Sequence, residues 1–131
     1  MSITDVASTF ASLESSISQD KGSFDFFALF QREDTPDRWD LVASAPWIAS
    51  DHDSAMKYFV HRIKTDLGPD ALTALSRIVF ADPTDPAVAS ISRGLSVEHS
   101  PTEVHNRTFA GVPVRHAFVI TSRRLGVPSG K

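Results

Sequence analysis

The chain contains no cysteine. Disulfides, thiolate nucleophiles, cysteine-ligated zinc and iron–sulfur clusters are therefore excluded. Glycine is scarce, with six in 131 residues, and no G-x-x-x-x-G-K-[ST] or G-x-G-x-x-G run cradles a phosphate. The G-x-S-x-G elbow and the H-E-x-x-H pair are missing as well. No apolar run approaches the roughly 20 residues that span a bilayer, so no membrane association is expected. The opening segment MSITDVASTFASLESS has no basic residues ahead of an apolar run. It is not a secretory signal, and the cytoplasm is the expected compartment. Without a secretory route, Asn106-Arg107-Thr108 reads as a chance match to a glycosylation acceptor. A net charge of −3 gives no broad basic surface, which argues against nucleic acid as a partner.

What is present suits one domain, expected over residues 1–122, with 123–131 as a mobile tail lacking periodicity. Hydrophobic residues make up 41% of the chain, enough for a core at this length. The charge is unevenly placed. Residues 1–60 hold ten acids and four bases, while residues 61–131 hold six acids and nine bases. Such a dipolar chain is suited to self-association or to docking a charged partner.

Periodicity supplies the elements. Ile3, Val6, Phe10, Leu13 and Ile17 form a helical stripe over 3–19, with Ser2 and Asp5 at capping-box spacing and Gly22 as a stop. Residues 24–32 are apolar at both parities between Phe26 and Phe30, the mark of an interior strand covered on both faces. Turn chemistry at 33–37 joins it to a second strand over 39–46, making an antiparallel hairpin. Met56, Phe59, Val60, Ile63 and Leu67 mark a helix over 51–67, with Ser50 and Asp53 at capping-box spacing and Gly68-Pro69 ending it. A short helix over 69–75, a strand over 77–81, a helix over 86–93 and a short strand over 95–99 follow. Strands at 103–110 and 114–121 are joined by Gly111-Val112-Pro113. The fold class is α+β: a mixed, mainly antiparallel sheet of about five strands with helices packed against it, in the order α-β-β-α-β-α-β-β.

Candidate site residues collect near the C-terminal strands. His99, His105 and His116, with Glu98 and Glu103 nearby, offer the two histidines and a carboxylate that a non-cysteine zinc or iron site requires. Their spacing matches no established ligand set, so no metal ligand and no cofactor is assigned. Register decides the geometry. With Ala110 opposite Pro113, Arg107 faces His116, an unfavourable neighbour for a cation, and His105 lies diagonally on the same face. A slip of one residue sends His105 to the other face. A hydrogen-bonded core role is the default reading of His116, since it alternates with Val114, Phe118 and Ile120. Arg107, Arg115, Arg123 and Arg124 concentrate positive charge in the same region. The candidate ligand-binding set is His105, Arg107, His116 and His99.

Elsewhere, Asp51-His52-Asp53 and the Asp82 and Asp85 turns read as helix-end and turn chemistry. His52 and His61 lie about 180° apart on one helix and cannot share an ion. Trp39 and Trp47 flank a strand and are candidate interface residues. The expectation is a cytosolic interaction or regulatory module working by binding rather than catalysis. Its partner would be itself, as a homodimer through the 24–47 hairpin or the basic C-terminal strands, or another protein. The alternative is a small enzyme, or a ligand- or metal-binding protein, using the histidine and arginine face of the C-terminal strands.

Overall fold

A computed structural model of the chain describes residues 3–33, 38–81, 102–109 and 112–122. The elements in chain order are α1 (Ile3–Lys21), β1 (Phe26–Arg32), β2 (Trp39–Ser44), α2 (Pro46–Ser50), α3 (His52–Arg62), α4 (Pro69–Thr73), β3 (Leu75–Phe80), β4 (Thr102–Phe109) and β5 (Val112–Ser122). A single π-helical turn, Ile63–Leu67, extends α3. The α+β class is as expected. The helix expected at 86–93, the strand expected at 95–99, the Ser2 cap and the tail from 123 lie outside the described residues.

The five strands form one sheet in the order β3-β2-β1-β5-β4. β1 is its central strand. It pairs antiparallel with β2, with Leu29 opposite Leu41, and antiparallel with β5, with Leu29 opposite Phe118. The double-sided apolar pattern of Phe26–Phe30 is explained by this position: all five residues are buried. Only β2 and β3 run parallel, with Val42 opposite Val79. A parallel neighbour requires a crossover, and residues 45–74 supply it through α2, α3 and α4. Pro46 ends β2 as expected and also opens α2, where its missing amide costs nothing.

The sheet has a core on each face. The larger one takes the apolar stripes of α1 and α3 against Phe27, Leu29, Leu41, Phe118 and Ile120. Phe59 is its hub, with ring centroids 5.3–6.4 Å from Phe24, Phe27, Trp47 and Phe80. Full burial of such a ring contributes about 1.5–3 kcal/mol. The buried stripe of α3 is Ala55 and Phe59, continued by Ile63, while Met56 and Val60 are half-buried. The stripe is therefore rotated from the expected one, because the aromatic cluster draws Phe59 to its centre. On the opposite face Phe26, Ala28, Phe30, Val42, Val114, Ala117 and Val119 form a second core that includes no described helical residue.

Two glycines adopt backbone conformations closed to side chains. Gly22, at φ 121°, ends α1, and its carbonyl accepts a hydrogen bond from Trp47 Nε1 at 3.3 Å. Gly68, at φ 92°, ends the π turn, its amide bonding the Ile63 carbonyl at 3.0 Å. Two carboxylates lie inside the fold. Glu14 is fully buried on α1 and accepts from Thr121 Oγ1 at 2.6 Å. Asp40 is buried on β2, with Arg32 Nε at 2.8 Å from one flanking strand and Arg77 Nε at 3.1 Å from the other. A buried charge needs such partners.

Leu13 on α1 and Ile63 at the end of α3 are both buried in the larger core. Leu13→Ala or Ile63→Ala should each cost about 2–5 kcal/mol, read as a lower denaturant midpoint with an unchanged slope. An unmoved midpoint would contradict the packing of that helix.

Candidate functional site

The site is built where β4 meets β5. Alternation along β4 places Glu103 and His105 on one face, two residues apart. Across the ladder His105 lies directly opposite His116, and Glu103 opposite Phe118. Directly opposed residues share a face, so the two strands bring all three side chains together. One donor atom from each of Glu103, His105 and His116 lies within 4.8 Å of the other two. Glu103 Oε2 is 2.9 Å from His105 Nε2 and 2.5 Å from His116 Nε2.

The register differs from the one with Ala110 opposite Pro113. β4 ends at Phe109 and β5 begins opposite it at Val112, so Val112 and Pro113 belong to the strand rather than to a turn. The shift is two residues. It keeps His105 and His116 on the same face and moves them from diagonal to direct opposition. Arg107 is now opposite Val114 along the backbone, not opposite His116. His99 and Glu98 lie outside the described residues, as does the side chain of Arg107.

His116 is 6% exposed, and its environment fixes the ring. It stacks on His105 with centroids 4.3 Å and planes 19° apart. Phe118 and Trp39 pack against it at 4.8 Å and 5.7 Å. A bulge helps to set this position. On β1 the neighbours Gln31 and Arg32 face His116 and Val114, so Arg115 is an extra residue on β5. Val114 accordingly joins the second core instead of alternating with His116 as expected. His116 Nε2 is buried and makes no well-formed hydrogen bond, although the Glu103 carboxylate oxygen lies beside it as an ion-pair neighbour. A cation among the three donors would satisfy that nitrogen.

The donor chemistry fits a metal. Tetrahedral bonds of about 2.0–2.1 Å separate donor atoms by about 3.3 Å. The two gaps to Glu103 are shorter, so its carboxylate would swing outward, and the His105 ring would turn off its stack on His116 to bring both ring planes through one ion. Glu103 and His105 are 48% and 59% exposed at their side chains and have room for this. Glu103 is one of the two carboxylates that the sequence offers beside the histidines, without choosing between it and Glu98. The signal that singles it out is Glu-x-His on one strand, which puts both donors on one face.

The other sequence candidates are accounted for by structure. Asp51, rather than Ser50, caps α3: its carboxylate accepts from the Ser54 amide at 3.1 Å and the Ser54 hydroxyl at 2.8 Å. His52 is exposed and meets Phe80 edge-on at 5.9 Å. His61 faces outward on a shallow groove with Met56, Lys57, Val60 and Lys64. Asp82 and Asp85 lie outside the described residues. Of the two candidate interface tryptophans, Trp39 is buried, 5.7 Å from Phe118, and Trp47 is half-buried against Phe24 and Phe59.

A second polar group ties α1 to α3. Tyr58 donates to Asp20, and Arg62 donates to Tyr58, Ser16 and Asp66. Burial and the Asp20 carboxylate push the Tyr58 phenol up. The bond to Asp66 holds the Arg62 guanidinium charged, and the same bond pulls the Asp66 carboxyl down. These groups serve one another across the helix pair.

Among the described residues, no helix is long and apolar enough to cross a membrane. Comparison with protein-family models, curated proteins and solved structures finds no match to this chain.

The cap of α3 gives a pH test. The Ser54 amide and hydroxyl hold the Asp51 carboxyl below its ordinary value. A group lowered on folding stabilises above its unfolded pKa, about 3.9 for aspartate, and that contribution is lost as pH falls through the lower folded value. Asp51→Ala should therefore lower the melting temperature at neutral pH, with the gap from the parent narrowing below about pH 4. A pH-independent gap in thermal melts would show that the carboxylate charge contributes nothing.

Proposed function

We propose that this protein binds a divalent transition-metal ion between β4 and β5 through Glu103, His105 and His116. The observation that carries the reading is the convergence of these three donors around a buried imidazole nitrogen that makes no well-formed hydrogen bond. Two imidazoles and one carboxylate suit Zn²⁺, Fe²⁺, Co²⁺ or Ni²⁺. Ca²⁺ and Mg²⁺ favour sets of oxygen donors and are poor candidates. This takes up the metal-binding alternative drawn from the sequence. The interaction-module reading, with a homodimer, rests on charge segregation along the chain and on the two tryptophans. The burial of Trp39 leaves it less support.

Chelator-treated full-length protein titrated with Zn²⁺ by calorimetry should bind one ion per chain. His105 is exposed, so His105→Ala should fold normally. Its affinity should drop by more than the roughly 10–100-fold that accompanies loss of an outer-sphere partner. A parent that takes up no Zn²⁺, or a variant that binds equally well, would end the reading. Trp39 supplies an optical check, since its ring is 5.7 Å from that of His116. In the Trp47→Phe background, Ni²⁺ should quench the remaining fluorescence saturably, and the further change His105→Ala should abolish the quenching.

The cores are closed by apolar packing on both faces of the sheet, so the ion is not required for folding. A strong chelator should leave the melting temperature of the metal-free protein in place. Zn²⁺ at 100 times its dissociation constant should stabilise by about 2.7 kcal/mol. Collapse of the fold on chelation would instead make the site a structural staple.

A further inference from the structure

We propose that an ion at this site keeps an exchangeable coordination position on its solvent side, and that this position takes a small anionic ligand such as a carboxylate. The inference rests on the metal-binding reading and adds to it the kind of site and the class of ligand. The first support is the placement of the donors. All three project from two adjacent strands on one face of the sheet, so the described donors approach an ion from the sheet side. Among the described residues, none supplies a donor to the outward hemisphere, which is left for a further ligand.

Exposure points the same way. The His116 side chain is 8% exposed and forms the floor, whereas Glu103 and His105 stand 48% and 59% exposed at the rim. An ion bridging floor and rim meets solvent on the side away from His116. Among the described residues, these three are the whole cluster of potential ligands. Structural zinc is held by four protein donors in a closed shell, and reactive or ligand-binding zinc by three with one position open. Apolar cores on both faces of the sheet lessen the need for a staple, which favours the second kind.

Charge selects the ligand. A divalent ion with one carboxylate and two neutral imidazoles carries a net charge of +1. The open position therefore favours a monoanion over a neutral donor. Packing against Phe118 and Trp39 holds the His116 ring, so the floor of the site does not move as the outer ligand exchanges.

The test uses full-length protein loaded with one equivalent of Co²⁺, whose visible absorption reports its coordination sphere. Azide, and separately acetate, should shift the cobalt bands saturably to a single end-point spectrum, with cobalt still bound one per chain. Acetamide, the neutral counterpart of acetate, should leave them unchanged at the same concentration. Bound cobalt whose spectrum ignores azide and acetate would overturn the exchangeable position and leave the metal-binding reading intact. An equal shift with acetamide would overturn the anion preference. Absence of protein-bound cobalt bands, or bands unaltered in His105→Ala, would overturn both readings.

Discussion

The placement of β1 between β2 and β5 is the constraint on which the remaining structure depends. Its apolar residues point to both faces and cannot be solvated on either. The sheet must therefore be continued on both sides and covered above and below. On one side the hairpin partner β2 arrives directly along the chain. On the other the C-terminal strand β5 returns across the whole length of the sequence, with Leu29 between Leu41 and Phe118. The N-terminal and C-terminal parts thus share one core, and neither half of the chain forms it alone.

The candidate metal site follows from that arrangement. β5 is held against β1 on its inner side, so its side chains are packed and fixed. β4 lies outside it, at the edge of the described sheet. A donor on the inner strand is consequently buried, and donors on the outer strand are exposed. This difference makes His116 a rigid floor and leaves Glu103 and His105 free to adjust. A set of three equally buried donors would pay a larger desolvation cost without a cation. Three equally exposed donors would lack a fixed point.

The helical layer positions the aromatic core, not the site. Phe59 gathers Phe24, Phe27, Trp47 and Phe80 under α3, and the Tyr58–Arg62 group locks α3 to α1 at the surface. Trp39, at the start of β2, and Phe118, both in the larger core, link the two regions through their contacts with His116.

Much of this was written locally. The stripe of α1, the double-sided burial of β1, the hairpin with β2 and the absence of thiol chemistry follow from residue type and spacing. They depend on neighbours a few positions away. The burial of Glu14 could not be read in the same way, because the hydroxyl that donates to it belongs to Thr121. The rotation of α3 toward Ala55 and Phe59 was likewise hidden, since it reflects an aromatic cluster drawn from four elements. The candidate site stood between these cases. Glu103 and His105 share a face by strand alternation alone, and the sequence determined that much. Whether His116 would meet them depended on the β4–β5 register, in which a slip of one residue reverses the face. Tertiary structure decided that register, through the point at which β5 begins, its bulge at Arg115 and its pairing with β1, because strand pairing is fixed by contacts between distant segments and not by the residues of either strand alone.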